Sequence, residues 1–462
     1  MHNVMKGTDM TAQIVNGPAA ACPVAQPVEG EGTLKRTMGL RSVVLFGLAY
    51  MTPIIALGTF GVIASTSHGA AAMSYLVATV AMMFTAGSYG RMAVLHPQAG
   101  SAYTYVGKTI GRKVGFLVGW AMLLDYMFLP MVVWLIGASY LNAQFPSVPI
   151  QAWVLGFIVL TTAINIIGLN VADKINYALM LFQALVIVLF LMLSIRSVLG
   201  GAGTGTLFST LPFTGNGSSP SVIVAGAAIA AYSFLGFDAV TTMSEETRDA
   251  RHTIPKAIML VALIGGLIFV GIAYVTQLVH PGGMFDDESS AAYEIATQVG
   301  GNLFTSGIAT QASASRLLYV MGRDGVLPKR IFGRLGKRFG TPVLSIMLIA
   351  FVGLIAMFLD VATSTSFVNF GAFTAFTLVN VCVICAYAKA DASERKEYFR
   401  GGVWLNVVAP AVGAVCCAYL LMHLDGHAIG LGLSWLAIGI IVLAAITKGF
   451  RRNPPEYGDR GE

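Results

Sequence analysis

Charge is what this sequence has least of. Only 11% of its 462 residues are Asp, Glu, Lys or Arg, while 56% are hydrophobic. A soluble domain carries about 25% charged residues. A chain so poor in charge cannot cover a water-facing surface, which excludes the two or three soluble domains that its length would permit. Cysteine is scarce too, with five residues in all: Cys22, Cys382, Cys385, Cys416 and Cys417. Cys22 stands in a polar stretch and the other four in apolar runs, so they read as buried thiols. The Cys382/Cys385 spacing lacks the second, His-containing half that a zinc site needs. The N-terminal region also lacks the short apolar core of a cleavable signal. Residues 1–33 are polar and rich in small residues, among them Gly17, Pro18, Pro23, Pro27, Gly30 and Gly32. That composition cannot bury enough apolar surface to order itself, and the segment reads as a disordered tail.

What remains is a succession of long apolar runs. A hydrocarbon core about 30 Å thick takes about 20 helical residues. Runs of that kind fall at 43–65, 72–95, 114–142, 152–170, 176–199, 222–248, 256–279, 303–321, 343–360, 366–388, 403–422 and 429–448. The chain is therefore expected to be an all-α polytopic membrane protein of about 12 transmembrane helices. Its membrane domain covers 34–450, and 451–462 forms a second short tail. Lipid covers it, and the excess of Lys and Arg requires no nucleic acid.

Positive charge orients the spans, because Lys and Arg stay on the cytoplasmic side. Lys35, Arg36 and Arg41 precede the first span, and alternate loops then carry Lys108, Arg112 and Lys113, Arg248, Arg251 and Lys256, Arg323 to Arg338, Lys389 to Arg400, and Lys448 to Arg452. Arg196 is the exception on the other side. Both termini are expected inside. The outside loop 280–300 is acidic, with Asp286, Asp287, Glu288 and Glu294. It reads as a solvated loop, or as a weak attractor of cations.

Two spans are not ordinary apolar helices. The first contains Gly47-Leu-Ala-Tyr-Met-Thr-Pro53 and the sixth contains Ser233-Phe-Leu-Gly-Phe-Asp238. Irregular backbone at membrane depth survives only where protein or a watery cavity satisfies the freed groups. Matched interruptions in two halves mark the binding site of repeat-built transporters. Spans one and six are five apart, which fits two five-helix units with two helices appended. The residues at these breaks, Tyr50, Thr52, Phe234 and Gly236, are candidate lining residues.

Acids inside spans are costly and usually functional. Asp125 lies mid-span in Leu123-Leu-Asp-Tyr-Met-Phe-Leu-Pro130, and Asp238 lies at the sixth-span break. No Lys or Arg falls at comparable depth, and a buried unpaired carboxylate takes up a proton or a cation. Two readings stand for each group. Asp125 is a cation ligand or a structural hydrogen-bonding acid. Asp238 binds a cation or caps the second half-helix. Glu245 and Glu246 gate or couple, with Glu245 on the helical face of Asp238, or they pair with Arg248 or Arg251. Tyr50 and Tyr126 pack, or they offer a ring face to an ammonium group, worth about 0.5–2 kcal/mol. No His-rich cluster or nucleophile–base pair appears within the spans, so an enzyme is not expected.

Two strings carry a family resemblance. Pro97-Gln-Ala-Gly-Ser-Ala-Tyr-Thr-Tyr105 resembles the P-x-A-G-[GS]-x-Y-x-Y signature of the amino acid–polyamine–organocation superfamily. Ser233 to Asp238, followed by Glu245-Glu246-Thr247 and Ile254-Pro-Lys-Ala-Ile258, resembles its sixth-helix signature. The longer strings at Gly47–Pro53, Leu123–Pro130, Gly236–Thr242 and Ser315–Asp324 resemble the bacterial putrescine importers of that superfamily. The resemblance runs from about Leu34 to the last span. It implies a five-plus-five inverted repeat, alternating access, and a proton-coupled permease in the bacterial inner membrane taking up a small organic amine. It implies no cofactor, with proton or sodium as the coupling ion.

Two departures bear on this. The superfamily's amino-acid carriers place a Gly-Ser-Gly-like stretch in the broken first helix to grip a carboxylate, whereas this chain reads Ala49-Tyr50-Met51-Thr52. That favours an amine without a carboxylate, with an amino-acid permease as the alternative and an amine-binding sensor as the alternative of another class. The eighth span, Leu303 to Met321, is short and polar, apparently lacking about three turns relative to the usual need. Some relatives use a Lys in the fifth helix in place of sodium, whereas Lys174 precedes that helix at the membrane edge; Ser313 and Ser315 stand where sodium ligands occur in related folds, or they pack helices.

Overall fold

The computed structural model describes residues 38–97, 101–167, 169–299, 343–399 and 401–454, with side chains for all of these except 164–180, 182, 297 and 343–345. Among the described residues the structure is helical, and its one β-type pairing is an isolated parallel bridge between Met38 and Thr247. Among the described residues, eight helices are long and apolar enough to cross a membrane: Leu40–Gly58, Ala71–Leu95, Arg112–Gln144, Pro220–Met243, Ala250–Val279, Val361–Lys389, Trp404–Met422 and Gly426–Ile446. Helices Ile150–Ile167 and Leu169–Leu199 fall between the third of these and the fourth. Val343–Gly353, continued by a 3-10 segment Leu354–Phe358, precedes Val361–Lys389. Every expected run but 303–321 has a helix at its position; the sixth stops short of its expected end, and Leu169–Leu199 and Ala250–Val279 begin several residues before 176 and 256. The remaining run, 303–321, lies outside the described residues, and with it Ser313, Ser315 and the apparent shortening. Cys22 and the side chain of Lys174 lie outside them as well. Cys382, Cys385, Cys416 and Cys417 are free thiols.

Both interruptions are real, and each has a local cause. The first helix stops at Met51, Thr52 turns left-handed at φ 48, and helix resumes at Ile55. Pro53 lacks an N–H and disfavours helical geometry in the residue before it. The Thr52 hydroxyl donates to the Tyr50 carbonyl at 3.3 Å, which satisfies part of the opened backbone. The sixth span runs as α-helix from Pro220 to Ala230, as 3-10 helix from Ala231 to Phe234, and breaks at Leu235–Gly236. It then continues as a 3-10 helix, Phe237–Met243.

This corrects two expectations. The sixth helix ends at Met243 instead of reaching 248, so Asp238 and Glu245 do not share a helical face. Asp238 is also not a cap: the N-cap of its 3-10 segment is Gly236, and Asp238 stands inside the segment.

Small residues let the central helices approach. A Cβ on Gly266 would stand 2.4 Å from Thr79, and one on Gly371 would stand 2.4 Å from the Ala121 carbonyl oxygen. Such contacts hold membrane helices together where lipid leaves little hydrophobic drive. The last two helices lie outermost and turn Val415, Met422, Leu433 and Ile441 outward, as lipid-facing surfaces do.

Candidate functional site

The two breaks touch. Gly236 adopts φ 96, and a Cβ there would stand 2.1 Å from Cδ1 of Tyr50. Only glycine allows both that backbone and that approach. Tyr50 of the first span is therefore seated on the break of the sixth.

Around this contact the fold gathers the acids. Asp125 and Tyr126, on the third helix, are buried, and so is Asp238. Asp125 and Asp238 lie within electrostatic reach of each other, and Tyr126 lies within reach of both and of Tyr50. The Tyr126 hydroxyl faces Asp238 without closing a hydrogen bond, and it is buried and unbonded. Tyr232, one turn before the break, reaches the Leu129 carbonyl at 3.5 Å from the first half of the sixth span. No Lys or Arg among the described residues is ion-paired with Asp125 or Asp238.

Asp238 is held by a residue that sequence reasoning did not single out. Ser101 Oγ donates to Asp238 Oδ2 at 3.0 Å across 137 residues of chain, while Asp238 Oδ1 is buried and unbonded. Tyr89 lies beside this pair, packed edge-on against Phe237 at 5.6 Å and Tyr105 at 6.1 Å. The hydroxyls of Tyr89 and Tyr105 are buried without partners too. Ser101 and Tyr105 belong to the Pro97–Tyr105 string, which was the available signal, but its reach to the sixth span is not written in it. At the start of that string, burial and neighbouring Lys108 hold the His96 imidazole below its usual pKa.

The other expected residues fall elsewhere. Phe234 is fully buried and packs edge-on against Phe269 of the seventh span, with ring centroids 5.1 Å apart. Thr52 lines a small apolar cavity with Ile136, Tyr140, Phe190 and Tyr293. Glu245 is exposed and Glu246 half-exposed, in the turn after the sixth span. In the acidic loop, Asp286, Asp287 and Glu288 join Asp360 around an open cavity of about 420 Å³. Asp287 and Asp360 are engaged there as caps, accepting from Ser289 N at 3.0 Å and Thr363 N at 2.7 Å.

Two carboxyls within electrostatic reach of each other, tyrosine rings and no paired Lys or Arg among the described residues suit a ligand bearing positive nitrogen, through charge-assisted hydrogen bonds and ring–cation contact. Discontinuous helices meeting within a bundle of membrane-crossing helices are the architecture of a secondary transporter. The chain matches the amino acid permease family over residues 42–442 and belongs to it. It is 39% identical over 442 residues to the low-affinity putrescine importer PlaP of Escherichia coli (strain K12), a match covering 92% of this chain and 97% of that protein. It is also 25% identical to the branched-chain amino acid permease BcaP of Bacillus subtilis over 450 residues, covering 89% of this chain and 93% of that one. The methylthioribose transporter of the same organism is 26% identical over 445 residues, with the same coverage. These relatives are transporters and not enzymes, and the chain is a multi-pass inner-membrane transporter of this family.

Proposed function

We propose that the protein is a proton-coupled importer of putrescine or a similar small polyamine, with about twelve spans in two inverted five-helix repeats and two helices added. The observation that carries this is the gathering of Asp125, Tyr126 and Asp238 near the Tyr50–Gly236 contact, with no Lys or Arg among the described residues paired with either acid. Two ammonium groups on one short chain need two acceptors, and two carboxyls supply them. Asp125 and Asp238 neutralise charge, while Tyr126 and Tyr50 supply ring faces or hydroxyls. An inside-negative potential favours inward movement by about 2.3 kcal/mol per charge per 100 mV. A dication therefore moves downhill electrically before any proton is counted. Glu245 and Glu246, in the turn beyond the sixth span, are candidates for gating.

An amino-acid permease is the second reading, favoured by the likeness to a branched-chain amino acid permease. The Ala49–Thr52 stretch, without its glycines, speaks against a gripped carboxylate. Uptake of labelled putrescine into energised vesicles, with and without an uncoupler and with amino acids as competitors, tests both. Saturable uptake abolished by the uncoupler and indifferent to amino acids is expected. Full competition by a neutral amino acid would overturn the polyamine reading.

A further inference from the structure

The Asp238 carboxyl is held from outside its own helix. Ser101 Oγ reaches Oδ2 at 3.0 Å, and both residues are at most 1% exposed. Ser101 has φ 50, in the left-handed region that glycine occupies at far less cost than serine. Backbone preference and side chain are thus in conflict here, and such strain persists where the surrounding structure over-determines it. The hydroxyl is what a glycine would lack.

The consequence lies in the other oxygen. With Oδ2 engaged by Ser101, Oδ1 is left buried and unbonded. The neighbouring phenols of Tyr89, Tyr105 and Tyr126 bond to neither oxygen. We infer that Ser101 is a positioning residue of the substrate site: its hydrogen bond fixes the Asp238 carboxyl so that Oδ1 is presented to a substrate ammonium group. The start of the short helix Ser101–Thr109, after the second span, thereby sets substrate affinity through the sixth. This rests on the proposed reading of Asp238 as an amine acceptor.

Four variants test it: Ser101→Ala, Ser101→Gly, Asp238→Asn and the double Ser101→Gly/Asp238→Asn. Each is measured for equilibrium binding of labelled putrescine to purified protein, for KM and Vmax in vesicles, and for Tm. Both Ser101 variants are expected to weaken binding roughly tenfold, the scale of a hydrogen bond to a charged group. The effect falls in KM with Vmax per transporter kept. Ser101→Gly should melt above Ser101→Ala, because only glycine relieves the backbone. A purely structural serine would make affinity follow Tm, so that Gly binds normally and Ala does not; that result overturns the inference. In the Asp238→Asn background the Ser101→Gly change should add no further loss, since the two act as one unit. Independent, additive losses would overturn it. Weakened binding in Asp238→Asn with normal binding in both Ser101 variants removes the inference and leaves the amine site standing. Normal binding in Asp238→Asn removes both.

Discussion

Trp120 and Trp435 bond reciprocally to each other's backbone. Each indole Nε1 donates to the other residue's carbonyl oxygen at 2.9 Å, and the rings stack at 5.0 Å with 23° between planes. Gly439, one turn further along, leaves the space: a Cβ there would stand 2.4 Å from Trp120 Cδ1. The last helix has little else buried, so this pair fastens it to the third helix, the one that carries Asp125.

Trp435→Phe keeps the stacked ring and removes one donor. The expected cost is about 1 kcal/mol, typical of a net hydrogen bond in proteins and of one between membrane helices. A lower Tm in detergent with normal KM for putrescine is expected. An unchanged Tm would show that the pair does not fasten the helix.

Gly236→Ala should abolish uptake at normal protein level. The methyl group collides with the Tyr50 ring at 2.1 Å and forces a residue with a Cβ into φ 96. The left-handed penalty alone is about 1–2 kcal/mol. Uptake in vesicles of matched transporter content checks this, and activity above half of the unsubstituted protein's would mean that the breaks do not need their close contact.

Asp125→Asn should weaken putrescine binding at least about tenfold, because a charge-assisted hydrogen bond becomes neutral. Tyr126→Phe should lose less than Tyr126→Ala if the ring face matters more than the hydroxyl, which is unbonded in the structure. Normal affinity in Asp125→Asn would leave that acid structural.

The N-terminal end of the first span is tied to the turn after the sixth. Met38 N donates to Glu246 O at 3.1 Å, and Arg248 N donates to Met38 O at 2.9 Å. Met38→Cys with Thr247→Cys, in a background without the native cysteines, places a crosslink across the bridge. Uptake should survive oxidation if the two broken helices move as one body. Loss of uptake that a reductant restores would show that the bridge opens during transport.

A reporter fused after Pro454 should be cytoplasmic, and one within 280–300 external, because Lys and Arg concentrate in the loops on the cytoplasmic side. An external C-terminus would refute the span count and orientation together.

The membrane character, most span limits and both interruptions were legible in the sequence. These depend on local quantities: twenty apolar residues in a row, a Pro after Thr52, a Gly at 236 and a shortage of charge. The mid-span acids were visible for the same reason, since a carboxylate among apolar neighbours stands out along the chain. The tertiary structure decided which of them meet. It laid Tyr50 on Gly236, brought Asp125 within electrostatic reach of Asp238, and sent Phe234 to pack on Phe269. It also ended the sixth span in 3-10 geometry at Met243, which took Glu245 off the face of Asp238; whether a short segment winds as α or 3-10 depends on neighbouring helices more than on its own propensities. The Ser101–Asp238 bond spans 137 residues, and no periodicity or spacing encodes a contact at that separation. It exists because the short helix Ser101–Thr109 packs against the Phe237–Met243 segment of the sixth span, and only packing in three dimensions determines that.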